Sequence, residues 1–213
     1  MLASSAAMCY TRLRNVKWEE RDKMELLWYD IRQLDEETMA RTVAMMDEER
    51  RRRVSDIAGE DDRKRTVAGE LLARQVLARR LGCGEGEVPL HWDETGKPAV
   101  DAEGLYLSVS HSGPYAVCAA AAVPVGVDVE VVRSADEKFM RRVCSEAEMA
   151  YIRVGDEGDC ARFWETWTAK EALFKLTGKG PLLALSRLSV PEGVVLDHTM
   201  QRGCALTVAL RLR

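Results

Sequence analysis

The chain has 213 residues, of which 46% are hydrophobic and 31% are charged, so its composition suits one large or two small globular domains and excludes extensive disorder. The net charge of -4 argues against a broad nucleic-acid surface, although 31 lysines and arginines leave room for a local basic pocket. No apolar run reaches the roughly 18 residues of a membrane span, and the six cysteines form no CxxC pair. We therefore expect a cytoplasmic protein with reduced thiols and with neither nucleic-acid nor membrane partners.

The first predicted elements are a strand and two helices. Residues 1–23 show little apolar periodicity and are predicted to be an extension that is either disordered or upstream of the true start at Met24. A strand is predicted from Met24, and a helix from Asp35 to about residue 57. A second helix is predicted from 61 to 81, with Gly82 ending it.

The pattern then changes to the alternation that is typical of strands. Strands are predicted at 105–110, 115–122 and 125–132, with a turn at 112–114. A helix near 145–151 and a stronger one over about 161–176 follow. Gly178, Gly180 and Pro181 are predicted to end the last helix, before two closing strands.

The order of these elements predicts an α+β fold. It suggests two similar halves, 24–119 and 120–213, related by pseudo-twofold symmetry. Each half would hold a small, mainly antiparallel sheet packed on helices. Because no low-complexity linker separates the halves, we expect the active site in a cleft between them.

Two acids lie on the predicted strand 125–132. Strand alternation puts Asp128 and Glu130 on one face, while the valines between them point to the other. Paired carboxylates of this kind suit magnesium, but the exposed face of an ordinary antiparallel strand often carries such acids too. The pair alone therefore does not decide between the two interpretations.

The predicted helix 161–176 contains the segment WTAKEALFK, residues 167–175. Glu171 and Lys175 are four residues apart and so share a helix face. By itself, this pair could be an ordinary surface ion pair worth a few tenths of a kcal/mol.

The two motifs together resemble the 4'-phosphopantetheinyl transferase family. The signature of that family is a GxD strand followed about forty residues later by WxxKExxxK, and both parts occur here in order. The resemblance covers roughly residues 47–190 and is to the two-lobed Sfp type. It implies transfer of the 4'-phosphopantetheine arm of coenzyme A to a serine of an apo acyl- or peptidyl-carrier protein.

The resemblance also implies a set of site residues. Magnesium would be held by Asp128, Glu130 and Glu171, with Lys175 and Lys170 adding positive charge near the phosphates. Contacts to coenzyme A would come from two groups of residues: Lys97, Ser110 and His111, and, around the 3'-phosphate and adenine, Arg50, Arg53, Arg65 and Thr66. Arg50 and Arg53 could equally be a solvated helix end.

Several alternatives stay open from the sequence. The base for the carrier serine could be Glu148, or Glu171 acting directly or through a water on the metal, and Glu148 could be a plain surface residue. A magnesium-dependent nucleotide phosphohydrolase and a non-catalytic coenzyme A or carrier-binding module are the competing functions. The two-lobed type suggests a monomer, and neither the carrier nor its pathway is indicated.

Overall fold

The computed structural model describes residues 24–94, 96–154, 159–178 and 189–212. The strands are β1 (Glu25–Asp30), β2 (Leu90–Trp92), β3 (Pro98–Val100), β4 (Tyr106–Ser112), β5 (Tyr115–Ala121), β6 (Val125–Val131), β7 (Val194–Gln201) and β8 (Cys204–Arg211). The α-helices are α1 (Glu36–Ala44), α2 (Glu48–Ser55), α3 (Glu60–Leu81), α4 (Glu137–Val143), α5 (Glu146–Ile152) and α6 (Asp159–Thr177). The predicted extension 1–23 and the terminators Gly180 and Pro181 lie outside the described residues.

All strand pairs in the described residues are antiparallel, in sheets ordered β1-β5-β4, β2-β3 and β6-β8-β7. This confirms the predicted α+β class with small antiparallel sheets. The two three-stranded sheets have the same connectivity. In the first sheet β1 pairs with β5, the second strand of the hairpin β4–β5, and in the other sheet β6 pairs with β8, the second strand of the hairpin β7–β8. The predicted boundary at residue 120 falls inside β5, and the division into two halves stays a prediction.

The two three-stranded sheets pack face to face between helices. Alternate residues of β5 face opposite ways: Ala116, Cys118 and Ala120 pack against α3, while Val117 and Ala119 pack against β6 and β8. On the far side, α6 packs on β7 and β8. The layers are therefore helix, sheet, sheet, helix, and burial on both faces explains why β5 reads as a continuous apolar run.

The first predicted helix is in fact two helices. Asp35 caps α1 by accepting a hydrogen bond from Thr38 N, and Asp47 caps α2 by accepting one from Arg50 N. The prediction of one helix to residue 57 was wrong because Asp47 offers the backbone a new start after Ala44. The long helix was predicted well, and α3 ends at Gly82 in the left-handed conformation.

Four short elements were not predicted, namely β2, β3, α4 and a 3₁₀ helix at Ile31–Gln33. Five cysteines, which are Cys83, Cys118, Cys144, Cys160 and Cys204, carry free thiols. Within the described ranges, no helix is long and apolar enough to cross a membrane.

Candidate active site

Gly126 brings the two acid-bearing elements together. A Cβ atom at this position would lie 2.1 Å from the carbonyl oxygen of Ala172 and 2.7 Å from Leu176 N, both on α6. Only glycine permits so close an approach of helix to strand. As a result, Glu171 and Lys175 of α6 lie against Asp128 of β6.

The three predicted carboxylates are close enough to influence one another. Burial, and then the charge of Asp128, raises the pKa of Glu171 to about 7. Burial also raises the pKa of Glu130, to which Asp128 adds a smaller repulsion. Asp128 itself is only 5% exposed. This crowding of like charges in a partly buried site favours a cation as partner.

Lys175 supplies one positive charge to this cluster. Its Nζ donates a hydrogen bond of 2.7 Å to Asp128 Oδ1, and it lowers the pKa of Glu171. This confirms that Glu171 and Lys175, one turn apart on α6, share a face of the helix and that this face points at β6.

A cavity of about 360 Å³ adjoins the acid cluster. Six predicted site residues line it: Arg50, Thr66, Ser110, His111, Asp128 and Lys175. Four further residues complete its described lining: Gly69, Trp92, Gly96 and Val109. A single cavity thus connects basic side chains of the first half of the chain with an acid and a lysine of the second.

One wall of the cavity is built on a buried ion network. The Arg50 guanidinium carbon lies 3.8 Å from the centroid of the Trp92 ring, and Arg50 Nε lies 3.4 Å from Glu70 Oε2. Glu70 also accepts a 2.9 Å hydrogen bond from Arg74, which in turn donates to Met45 O and thereby anchors the network to the end of α1. Arg50 is therefore held in place rather than solvated at a helix end.

The β2–β3 hairpin carries Lys97 beside this wall. Asp93 organises the hairpin by accepting from Lys97 N at 2.9 Å, while its carbonyl oxygen accepts from Arg53 at 3.2 Å. The Lys97 side chain is exposed, and neither Lys97 nor Arg53 is in the described lining of the cavity. Their predicted contacts with coenzyme A stay predictions.

His111 and Arg65 lie together near the turn between β4 and β5. Arg65 donates a 2.7 Å hydrogen bond to Gly113 O and pairs with Asp62. Thr66 Oγ1 donates to the carbonyl oxygen of Asp62 at 2.9 Å. The surrounding protein, followed by the charges of Lys175 and Arg65, lowers the pKa of His111. This shift favours the neutral imidazole of His111, which can donate or accept a hydrogen bond.

Lys170 and Glu148 lie elsewhere. Lys170 is fully buried and donates to Glu148 Oε2 at 2.7 Å and to Val143 O at 2.8 Å. Glu148 Oε2 also accepts from Ser145 N in the capping box of α5. Glu130 and Glu171 are also outside the described lining, but they adjoin it through Asp128. Lys170 and Glu148 instead bind each other away from it, so the structure gives no support to a phosphate contact by Lys170 or a base at Glu148.

Comparison with known proteins matches most of the described chain to one family. Residues 33–123 match the family model described as "4'-phosphopantetheinyl transferase, N-terminal", and residues 124–201 match that of the "4'-phosphopantetheinyl transferase superfamily". The chain belongs to the 4'-phosphopantetheinyl transferase family.

Several curated relatives of this family are similar to the chain. It is 28% identical to the 4'-phosphopantetheinyl transferase Sfp of Bacillus subtilis, over 76% of this chain and 73% of that protein. It is 32% identical to the transferase gsp of Aneurinibacillus migulanus, over 59% and 53% of the two chains. It is also 32% identical to the transferase HetI of Nostoc, over 56% and 54%. The matched stretches thus span from about half to three quarters of these relatives.

The acid cluster of this transferase fits a hard cation chemically. Asp128 Oδ2 and Glu171 Oε1 are buried and accept no hydrogen bond from any described residue. Orphaned carboxylate oxygens are costly, and oxygen ligands of this kind are those that magnesium prefers. Among the described residues, however, no three acids, histidines or cysteines are gathered closely enough to enclose an ion. The carboxylate oxygens of the cluster therefore have the chemistry that magnesium prefers, while one of them, Asp128 Oδ1, is bound by Lys175.

Sequence reasoning missed Trp92 as part of the cavity and missed the hydrogen bonds of Ser108 and Ser112 to β6. Trp92 stands at the end of the unpredicted strand β2, so no pattern pointed to it. The serines did leave a signal, because three of them alternate along β4 in the segment SVSHS.

Proposed function

We propose that the cavity binds coenzyme A and that its phosphopantetheine arm is transferred there to a serine of an apo-carrier protein, with release of adenosine 3',5'-bisphosphate. The observation that carries the proposal is the single cavity lined by both Arg50 and His111 on one side and Asp128 and Lys175 on the other. A pyrophosphate carrying a nucleotide needs this combination of basic contacts and a metal-binding acid cluster.

The nucleotide end would lie against the wall formed by Arg50 and Trp92. Arg50 presents a planar cation already held by Glu70, and such a guanidinium suits a phosphate oxygen. Thr66 and His111 offer further polar groups on the same lining. Arg65 and Lys97 are proposed to approach the 3'-phosphate and the nucleotide from the rim.

The chemical step would be an in-line displacement at phosphorus. The serine oxygen of the carrier forms a bond to the β-phosphorus, and the bond from that phosphorus to the oxygen bridging to the α-phosphate breaks. Magnesium held by Asp128, Glu130 and Glu171 would neutralise charge on the pyrophosphate. Lys175 would stabilise the negative charge that develops on the leaving group.

The serine must also lose its proton, and Glu171 is favoured over Glu148 as the acceptor. Glu171 lies in the acid cluster that adjoins the cavity, and its Oε1 accepts no hydrogen bond from any described residue, so it can take the proton directly or through a water on the metal. Glu148 instead uses its carboxylate to hold the buried Lys170. Family membership also favours transfer over nucleotide hydrolysis or simple binding.

The wider organisation of the protein is proposed as well. The shared connectivity of the two three-stranded sheets supports two halves related by a pseudo-twofold axis, with the cavity as the cleft between them. We propose that the protein is a cytoplasmic monomer that binds neither nucleic acid nor membranes.

Intact mass spectrometry tests the function. An apo-acyl carrier protein and an apo-peptidyl carrier protein are each incubated with the protein, coenzyme A and magnesium. We expect at least one to gain the mass of a single phosphopantetheine group, and its serine-to-alanine variant to gain none. Consumption of coenzyme A without any modified carrier would instead indicate a hydrolase.

A further inference from the structure

Three serines of β4 make a regular set of hydrogen bonds to β6. Ser108, Ser110 and Ser112 each accept from a backbone N–H of β6, at 3.0 Å from Val127, 3.4 Å from Val129 and 3.1 Å from Val131. All three serines are buried. We call this set the serine ladder.

The ladder joins the edges of two different sheets. β4 is the edge strand of the sheet β1-β5-β4, and β6 is the edge strand of the sheet β6-β8-β7. An edge strand leaves every second N–H without a strand partner, and a buried N–H must be paired. The serine hydroxyls fill this role for β6.

Two of the three serines also hold a proposed metal ligand. Ser110 Oγ donates to Asp128 Oδ1 at 2.7 Å, and Ser112 Oγ donates to Glu130 Oε2 at 2.7 Å. A hydroxyl can donate one hydrogen bond while it accepts another, so each of these serines binds the backbone and the carboxylate together. Ser108 stands at the equivalent place opposite Gly126, which has no side chain to bind.

We propose that Ser110 and Ser112 are positioning residues that orient the carboxylates of Asp128 and Glu130 for the metal. The donated bond occupies Asp128 Oδ1, together with Lys175, and leaves the orphaned Oδ2 as the oxygen to face a cation. A carboxylate fixed in this way loses less rotational freedom when it binds metal. The inference rests on the proposed function, and it gives Ser110 a role other than the predicted nucleotide contact.

Binding of Mn²⁺, a spectroscopic substitute for magnesium, tests the proposal without turnover. The free Mn²⁺ is titrated by electron paramagnetic resonance against the full chain with saturating coenzyme A and no carrier. Ser110→Ala and Ser112→Ala are each expected to weaken Mn²⁺ binding about 10-fold or more, the usual effect of losing an outer-shell partner. Ser108→Ala, which loses only a backbone hydrogen bond, is the matched control and should change the affinity less than about 2-fold.

Unfolding in urea and the conservative variants separate positioning from stability. Ser108→Ala should lower the urea midpoint because it loses a backbone partner, and Ser110→Ala and Ser112→Ala should lower it somewhat more because each also loses a hydrogen bond to a carboxylate. Ser110→Thr and Ser112→Thr retain the hydroxyl and should recover most of the Mn²⁺ affinity. Their transfer rates should also need less magnesium than those of the alanine variants.

Equal Mn²⁺ affinity in all three alanine variants would overturn the positioning role. If wild-type protein bound no Mn²⁺ at all, the metal assignment itself would fail, and the positioning role with it. Carrier modification detected by mass would still establish the transfer in that case. The failure of the inference is thus distinguishable from the failure of the proposed function.

Discussion

Replacing Lys175 by methionine is expected to slow transfer strongly while leaving coenzyme A affinity nearly unchanged. The Lys175 ammonium lies 2.7 Å from Asp128 Oδ1 and lines the cavity, one helical turn beyond Glu171. Its charge therefore adjoins the place proposed for the pyrophosphate, where negative charge grows in the transition state. Methionine keeps most of the aliphatic length of the side chain but removes the charge.

The size of the effect follows from simple electrostatics. Two unit charges about 4 Å apart interact by roughly 4 kcal/mol at an effective dielectric constant of about 20. Removal of one preorganised donor costs about 2.7–4 kcal/mol in comparable sites. Since about 1.36 kcal/mol corresponds to a tenfold change in rate, the Lys175→Met variant should turn over about 10²- to 10³-fold more slowly.

Two measurements check this prediction. Initial rates of holo-carrier formation at saturating coenzyme A and magnesium give turnover, and titration calorimetry gives the coenzyme A affinity. Lys64→Met is the matched control, because Lys64 pairs with Glu60 on the outer surface of α3 and should not affect either quantity. An unchanged rate in Lys175→Met, or an equal loss of affinity and rate, would refute the proposed role.

Four other substitutions test the rest of the site and its support. Asp128→Ala should abolish measurable transfer yet shift thermal unfolding only modestly, because relief of the repulsion from Glu130 and Glu171 offsets the lost bonds to Lys175 and Ser110. Gly126→Ala should lower the free energy of unfolding, measured in urea, by about 1–3 kcal/mol or more, since its Cβ would meet the helix backbone at 2.1 Å. Gly84→Ala is the control, and it should change the free energy of unfolding little because the nearest neighbour of its Cβ is a flexible side chain. Glu148→Gln should lower the urea midpoint, because breaking a buried ion pair usually costs roughly 3–5 kcal/mol, but the folded variant should keep its turnover. Normal stability together with a loss of turnover would instead support Glu148 as the base. Burial lowers the pKa of His198 on β7 to about 4, so the unfolded chain takes up a proton before the folded chain does as the pH falls. The contribution of His198 to stability should therefore be full above about pH 6.5 and should decline toward pH 4. Urea midpoints measured across this pH range should show a smaller decline in His198→Gln than in the wild type.

The elements with strong local signals were predictable from the sequence. The long helix α3 combines apolar residues at helical spacing with Gly82 as a left-handed stop, so both its period and its end were visible. β6 was visible because its acids alternate with valines, and the structure confirms the alternation with Val127 and Val129 in the core between the sheets.

The errors had two causes, a local helix cap that was overlooked and a contact between residues distant in sequence. Asp47 reads as one more charged residue of a helix, yet its hydrogen bond to Arg50 N starts a new one. Lys170 was grouped with its neighbour Glu171 because of the family resemblance. Consecutive helix residues are about 100° apart, however, and that rotation turns Lys170 away from β6 and into a buried pair with Glu148.

Strand β4 shows why the register of one strand matters for both binding and chemistry. Its odd-numbered residues Leu107 and Val109 pack toward α3, while its even-numbered serines face β6. A slip by one residue would exchange the two faces, so apolar side chains would meet Asp128 and the edge N–H groups of β6 would lose their partners. Because the serine ladder matches β6 at three alternate residues, such a slip breaks all of its hydrogen bonds at once. The bonds that position the acids therefore also fix the strand that carries His111 to the cavity.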